Sequence, residues 1–245
     1  MKYLTPEEIK NSHKNEAHAI LQTSKSQLNR FNFGIEIFKK YYSRANPKVL
    51  DLGTGSGTFA QQLSGTGYSE IFGVDIDDYR PAEARPIYKD FKKADLGTEK
   101  LPWPDNTFDT ATAWCVFPHL ENPFHAGREV ARILKTGGLL IFSVPHISSK
   151  PSIKYFNETK NFGHYSGENN HIAIFTDPIL RKTILRDFEI LDVEYVVRPK
   201  VFQRGLKGKI RSIIYPLINR YLPEIGRQLR QRWAYDAVYI ARKKS

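Results

Sequence analysis

The stretch Lys48-Val-Leu-Asp-Leu-Gly-Thr-Gly-Ser-Gly57 decides how the rest of the chain is read. An apolar run reaches Asp51 and passes into glycines at 53, 55 and 57, after which residues 58–63 have the composition of a helix start. Glycines at alternate positions let the backbone turn sharply and approach a ligand without Cβ interference. The helix that follows aims its unsatisfied N–H groups at whatever occupies the turn. A strand, a ligand-binding loop and a helix are predicted in succession.

Outward from that loop, apolar runs and helical patterns alternate. Strands are predicted over 48–52, 70–75, 87–94, 108–116, 139–144, 188–197 and 234–242, and helices over 58–63, 123–134 and 177–186. The link from 76 to 86 contains Pro81 and Pro86 and leaves room for one short helix at most. This alternation implies an α/β fold with a Rossmann-like, mostly parallel seven-stranded sheet and helices on both faces.

Thr5-Pro6-Glu7-Glu8 is a capping box that opens a helix over 6–22, and a second helix is expected over 27–42. Residues 1–46 are thus a helical N-terminal extension and 47–145 the cofactor-binding core. Residues 146–171 are polar and irregular, and a loop of that length in a compact domain is expected to act as a lid. Residues 172–245 complete one domain and include a basic amphipathic helical region, 203–232.

Of the 245 residues, 40% are hydrophobic and 13% aromatic, which suits a globular core. No apolar run approaches ~18 residues, and Met1-Lys-Tyr-Leu-Thr-Pro-Glu-Glu8 is too polar for a signal peptide. A cytoplasmic protein is expected. One cysteine, Cys115, excludes an internal disulfide or a cysteine-rich zinc site, and it is expected to be a small buried apolar residue. From Arg198 onward 13 Lys or Arg face two acids, so this segment carries the whole net charge of +11. Such a localised excess suits an anionic partner: a phospholipid surface, a phosphorylated acceptor or RNA. Leu206, Ile210, Ile213, Leu217 and Tyr221 recur at helical spacing there, and Pro216 should kink the helix. Such a helix either packs on the protein or lies on a membrane.

Four further features sharpen the loop's reading. The glycines are G-x-G-x-G, not G-x-G-x-x-G, and Asp51 precedes them by two residues. Asp75 ends the second strand, where a carboxylate can accept both hydroxyls of a ribose. Asp95 falls where the third strand should end. Leu-Pro-Trp-Pro-Asp-Asn-Thr-Phe-Asp, 101–109, leads into the fourth strand.

D-L-G-T-G-S-G, G-V-D-I-D, A-D-L, L-P-W-P-D-N-T-F-D, H-L-E-N-P and L-K-T-G-G-L-L-I-F-S-V-P resemble, in order and spacing, the motifs of class I S-adenosylmethionine-dependent methyltransferases of the type 11 family. The resemblance covers about residues 48–145. It implies that Gly53, Thr54, Gly55 and Gly57 let the backbone pass beneath the cofactor, and that Asp51 holds its ammonium directly or through water. Asp75, with Ile76 beside it, would take the ribose hydroxyls. Asp95 and the Leu96 N–H would take the adenine. Trp114 would give a backbone carbonyl or a wall near the amino-acid moiety. Two departures, Thr54 in place of the frequent Cys and Thr136 in place of Pro, remove no ligand. The shortened link after Asp75 leaves open whether Asp77 or Asp78 shares the ribose.

A protic acceptor calls for a general base, and histidine suits neutral pH. His119, His146, His164 and His171 are candidates, with His119 preferred because it occupies the family's usual position after the fourth strand. Asp105 and Asp109 are expected to be structural. The acceptor is expected to be a small-molecule, lipid-linked or phosphorylated compound, with peripheral membrane contact through the basic helix. Nucleic acid is the less favoured partner. An NAD(P)-dependent oxidoreductase would need Tyr-x-x-x-Lys after the fifth strand, and the match at Tyr88 to Lys92 is misplaced. The residues are also compatible with a non-catalytic module of the same fold or with an RNA methyltransferase.

Overall fold

The computed structural model describes residues 25–42, 46–165, 170–197 and 221–245. The helix predicted over 6–22 and most of the basic region, with Leu206 to Leu217 and the Pro216 kink, lie outside the described residues. Helix α1 spans Lys25–Tyr42. There follow β1 (Val49–Leu52), α2 (Thr58–Ser64), β2 (Ile71–Asp75), β3 (Asp90–Lys93), β4 (Phe108–Trp114), α3 (Pro123–Ile133) and β5 (Leu134–Pro145). After them come α4 (Lys150–Thr159), α5 (Asp177–Lys182), β6 (Phe188–Val196), α6 (Pro223–Trp233) and β7 (Asp236–Lys243). Short 3₁₀ turns occupy Arg85–Ile87 and Phe117–His119.

The seven strands lie in the order β3-β2-β1-β4-β5-β7-β6. Pairs among β1 to β5 are parallel, and β7 runs antiparallel between β5 and β6. Alternate residues of β5 divide between two cores. Leu140, Phe142 and Val144 pack with Phe108, Val130 and Ile133 on one face. Leu139 and Ile141 pack with Phe38, Phe59 and Leu63 on the other. Burying each such side chain stabilises by roughly 1.5–3 kcal/mol, and two-sided burial fixes strand register. The reversal of strand order between β1 and β4 opens the crevice where open α/β sheets hold ligands.

Three expectations need correction. β5 begins at Leu134 rather than 139: the Leu134 end already pairs with Phe108, and an irregularity between Phe108 and Thr110 absorbs the Gly137 turn. The 146–171 segment is not wholly irregular, because α4 lies inside it. The Ser149 hydroxyl caps α4, proline stands in its first turn, and Lys160 closes it in a left-handed conformation. β3 is shorter than predicted, since Arg85–Ile87 form a turn first.

The 101–109 run is a strut. Arg132 donates to the Leu101 and Trp103 carbonyls at 2.9 Å each and to Asp105 at 2.8 Å, while Glu129 accepts from the Leu101 N–H at 2.8 Å. Asp109 accepts from the Lys48 N–H at 2.8 Å and from Lys135 at 2.7 Å, tying the start of β4 to that of β1. Both aspartates have structural roles.

Candidate active site

The carboxyl ends of β1, β2 and β4 converge on the glycine loop. Gly53 has φ +64°, and a Cβ there would lie 2.6 Å from Val116, so β4's continuation approaches as closely as only glycine permits. At Gly55, φ +49°, an added Cβ would meet nothing within 4 Å. The loop is therefore packed on one side and open on the other. Gly57 caps α2, and Thr54, 7% exposed, lies against Gly73.

Asp75 organises the open side. Its two carboxylate oxygens accept from the Gly55 N–H at 2.8 Å and the Ile76 N–H at 2.7 Å. Burial is the main reason its pKa rises to about 6, and the two N–H donors only partly offset that. The residue as a whole is still partly exposed, so lone pairs not engaged with the loop can meet a ligand.

Asp51 sits deeper, at 2% exposure. Strand register sets it between Gly73 on β2 and Thr112 on β4. The Thr112 hydroxyl donates to one oxygen at 2.9 Å and the Tyr88 hydroxyl to the other at 3.1 Å. Tyr88 reaches it because Gly73 has no side chain: a Cβ there would stand 2.7 Å from the Tyr88 ring. Arg80, itself buried, covers Tyr88 and Phe91 and is gripped by Asp78. Burial, and then repulsion from Asp75 against the two hydrogen bonds, takes the Asp51 pKa to about 7. Each oxygen accepts one hydroxyl and keeps a further lone pair, but at 2% exposure little of the carboxylate is open to a ligand. These two bonds tie Asp51 to β4 and to the link after β2.

The other predicted residues are dispersed more widely. The Asp95 carboxylate accepts from the Gly97 N–H at 2.8 Å and shapes the turn after β3. The Leu96 side chain is 7% exposed and belongs to the core. Trp114 packs its ring on Phe59 at 4.9 Å and over Gly34, and its buried Nε1 has no hydrogen-bond partner. Asp77 is paired with Lys93, and Asp78 with Arg80 and Arg85.

Beyond β4, the candidate histidines separate. The His146 ring donates from Nε2 to the Gln231 carbonyl at 3.0 Å, which ties it to α6, and burial lowers its pKa. His164, 8% exposed, packs on Tyr235 at 3.7 Å between ring centres. The Pro118 carbonyl accepts from the Ile172 and Ala173 N–H groups at 2.8 and 3.0 Å, which brings His171 beside His119, with ring centres 4.4 Å apart. Cys115 is not the buried apolar residue expected. It is half-buried, left-handed at φ 62°, and its Sγ lies 3.7 Å from His171 Nε2. That left-handed backbone at the strand end is invisible in sequence.

Sequence reasoning missed Tyr88, Thr112, Arg80, Cys115 and Tyr165. Thr112 could have been found from its register with Asp51. The rest carry no local signal, because each acts across 37 or more residues or through a proline-rich link.

A dinucleotide would need pyrophosphate donors at this loop. Here instead the groups at the strand ends are acceptors, and buried carboxylates with raised pKa values are relieved by a cation. An open glycine turn with Asp75 and Asp95 beyond it suits an amino-acid sulfonium joined to adenosine.

Residues 50–142 match the family model described as a methyltransferase domain. The chain is 28% identical over 116 residues to a demethylmenaquinone methyltransferase of Chlorobaculum parvum, covering 47% of this chain and 48% of that one. It is 33% identical over 170 residues to a trans-aconitate 2-methyltransferase of Rhizobium rhizogenes, covering 68% and 58%. The chain thus spans about half the length of the first of these relatives. In fold it is similar to the Burkholderia thailandensis 1,6-didemethyltoxoflavin-N1-methyltransferase solved with S-adenosylhomocysteine, with a TM-score of 0.61, 16% identity and coverage of 100% and 93%. The sheet order and the glycine loop give the Rossmann-like fold of class I S-adenosylmethionine-dependent methyltransferases. Residues 50–142 carry the similarity to the methyltransferase domain, and the chain is similar to these relatives over part of its length.

Proposed function

We propose that the protein transfers the methyl group of S-adenosylmethionine to a small-molecule or lipid-linked acceptor at the ends of β4 and β5. The observation that carries this is the Asp75 carboxylate, hydrogen-bonded to Gly55 and Ile76 yet still partly exposed beside an open turn. Bound there, S-adenosylmethionine supplies an electrophilic methyl on a sulfur that is already cationic. The protein's task is positioning, with reacting atoms held ~3–3.5 Å apart.

In this reading Asp75 takes the ribose, Asp95 and the Leu96 N–H take the adenine, and the open face of Gly53 to Gly55 carries the methionine moiety. Asp51, Tyr88 and Thr112 keep that face rigid. Trp114 forms a wall. Residues 146–171 are the lid of a single methyltransferase domain and exclude water. Named acceptors of the relatives, a quinone precursor and aconitate, support a small molecule. A lipid-linked acceptor is supported by the start of the described C-terminal part, where Tyr221, Leu222 and Ile225 are exposed within the basic segment.

The test has two stages. S-adenosylhomocysteine should raise the melting temperature and NADH should not; stabilisation by NADH alone rejects the proposal. Labelled methyl transfer into cell extract, fractionated into lipid, RNA and small molecules, then identifies the acceptor class. Label in RNA alone would reject the acceptor named here.

A further inference from the structure

Cys115, His119, His164, Tyr165 and His171 gather where β4 ends against the segment that follows α4. One hydrogen bond there settles a protonation question. His171 Nδ1 lies 2.7 Å from the His164 carbonyl oxygen. A carbonyl can only accept, so Nδ1 carries the hydrogen. In the neutral ring Nε2 is then the basic nitrogen, and it faces the Cys115 sulfur at 3.7 Å. The thiol is the donor in that contact.

Two independent features accompany the pair. Cys115 holds a left-handed conformation, uncommon for a residue with a side chain, at the tip of a central strand. The Tyr165 hydroxyl is buried without a hydrogen-bond partner; burial raises its pKa, and negative charge on Cys115 would raise it further. Leaving such a group unpaired is unfavourable, and an incoming polar ligand can satisfy it. The His119 ring, by contrast, offers a packing surface to His171.

We propose that His171, fixed as the Nδ1–H tautomer and paired through Nε2 with the Cys115 thiol, is the proton acceptor of this site, and that the methyl acceptor is a hydroxyl or phenol. This rests on the methyltransferase reading above. The acceptor's O–H bond breaks and its proton goes to Nε2, leaving imidazolium. The oxygen's electron pair forms the bond to the methyl carbon, and the carbon–sulfur pair returns to sulfur. In the resting protein the thiol occupies Nε2 and keeps the ring aimed. A carboxylate acceptor arrives ionised and has no use for this base. Among the described residues, the titratable groups facing His171 include Cys115, His119 and Tyr165, and Asp236 also acts on Tyr165.

The experiment alkylates Cys115 of the full chain with iodoacetamide between pH 5 and 10, in wild type, His171→Gln and His119→Gln. S-Adenosylhomocysteine binding is measured on each sample. An unassisted thiol is only a few per cent thiolate at pH 7. Wild type should react at least ~10-fold faster at pH 7 than His171→Gln, whose profile should move to the ordinary thiol range near ~8.5. His119→Gln should stay within twofold of wild type. A profile unmoved in His171→Gln, with S-adenosylhomocysteine still bound, overturns the pair. Loss of S-adenosylhomocysteine binding by wild type rejects the methyltransferase reading instead. Product labelled in extract is then treated with mild alkali: a methyl ether retains its label, and release as methanol, the mark of a methyl ester, overturns the acceptor class.

Discussion

The two halves of the site are built by different means. On the cofactor side, Asp51, Gly53, Gly55 and Asp75 lie within a few residues of one another in sequence or one strand apart, and backbone hydrogen bonds join them. On the side proposed for the acceptor, Cys115 meets His171 across 56 residues, held by ring packing and the two N–H groups that reach Pro118. A backbone-built site is rigid before its ligand arrives. A side-chain-built one can change without loss of fold.

The largest expected effect tests the rigidity of the first half. Gly53→Ala sets a Cβ 2.6 Å from Val116 at φ +64°. Left-handed strain of about 1–2 kcal/mol adds to an overpacking cost of about 1–3 kcal/mol. The melting temperature should drop by roughly 4–20 °C, with S-adenosylhomocysteine binding lost. Gly55→Ala bears the backbone strain alone, since nothing lies within 4 Å, and should lose less than half as much. Equal losses would mean that Val116 does not set the packing.

Next in size is Asp75→Asn. The amide has one accepting oxygen for the two N–H groups of Gly55 and Ile76, and it lacks the charge. Calorimetry should show S-adenosylhomocysteine binding weakened about 10–100-fold. In wild type, affinity should fall as pH drops below about 6, where Asp75 takes up a proton. Asp75→Asn should abolish that pH dependence.

A smaller effect reads Asp51 through stability. Its pKa rises from an ordinary 3.8 to about 7 because it is buried. The folded protein therefore holds a proton that the unfolded chain releases. This contribution is fully present below pH ~4 and is lost as pH rises toward ~7. The melting temperature of the ligand-free protein should fall by several degrees across that window, and Asp51→Asn should flatten the fall. A wild-type curve that rises throughout would show that Asp51 stays ionised inside.

These contrasts also explain what could be read in the sequence. β1, β2 and the loop between them were legible because glycine and strand-end acids have few competing structural uses. Asp51's true surroundings were not, because Tyr88 reaches it from a proline-rich link through space vacated by Gly73. α4 was hidden by its polar composition, although Ser149 and Pro151 gave a usable start signal. His119 was favoured by position alone. Which nitrogen of His146 or His171 meets a carbonyl depends on tertiary contacts and could not be read in sequence.

The smallest expected effect is the one most able to break the comparison. His119 lies in a 3₁₀ turn closed by its own N–H to the Val116 carbonyl at 3.0 Å, a bond that does not involve the ring. His119→Gln therefore removes ring contact with His171 and leaves the backbone path from β4 to α3 intact. The melting temperature should move by no more than a few degrees and S-adenosylhomocysteine affinity by less than about twofold, an energy below ~0.5 kcal/mol. Val116, however, also packs on Gly53, so the turn is one residue removed from the glycine loop. If His119→Gln weakens cofactor binding as much as Asp75→Asn does, strain in this turn passes through Val116 into the loop, and the two halves form one mechanical unit.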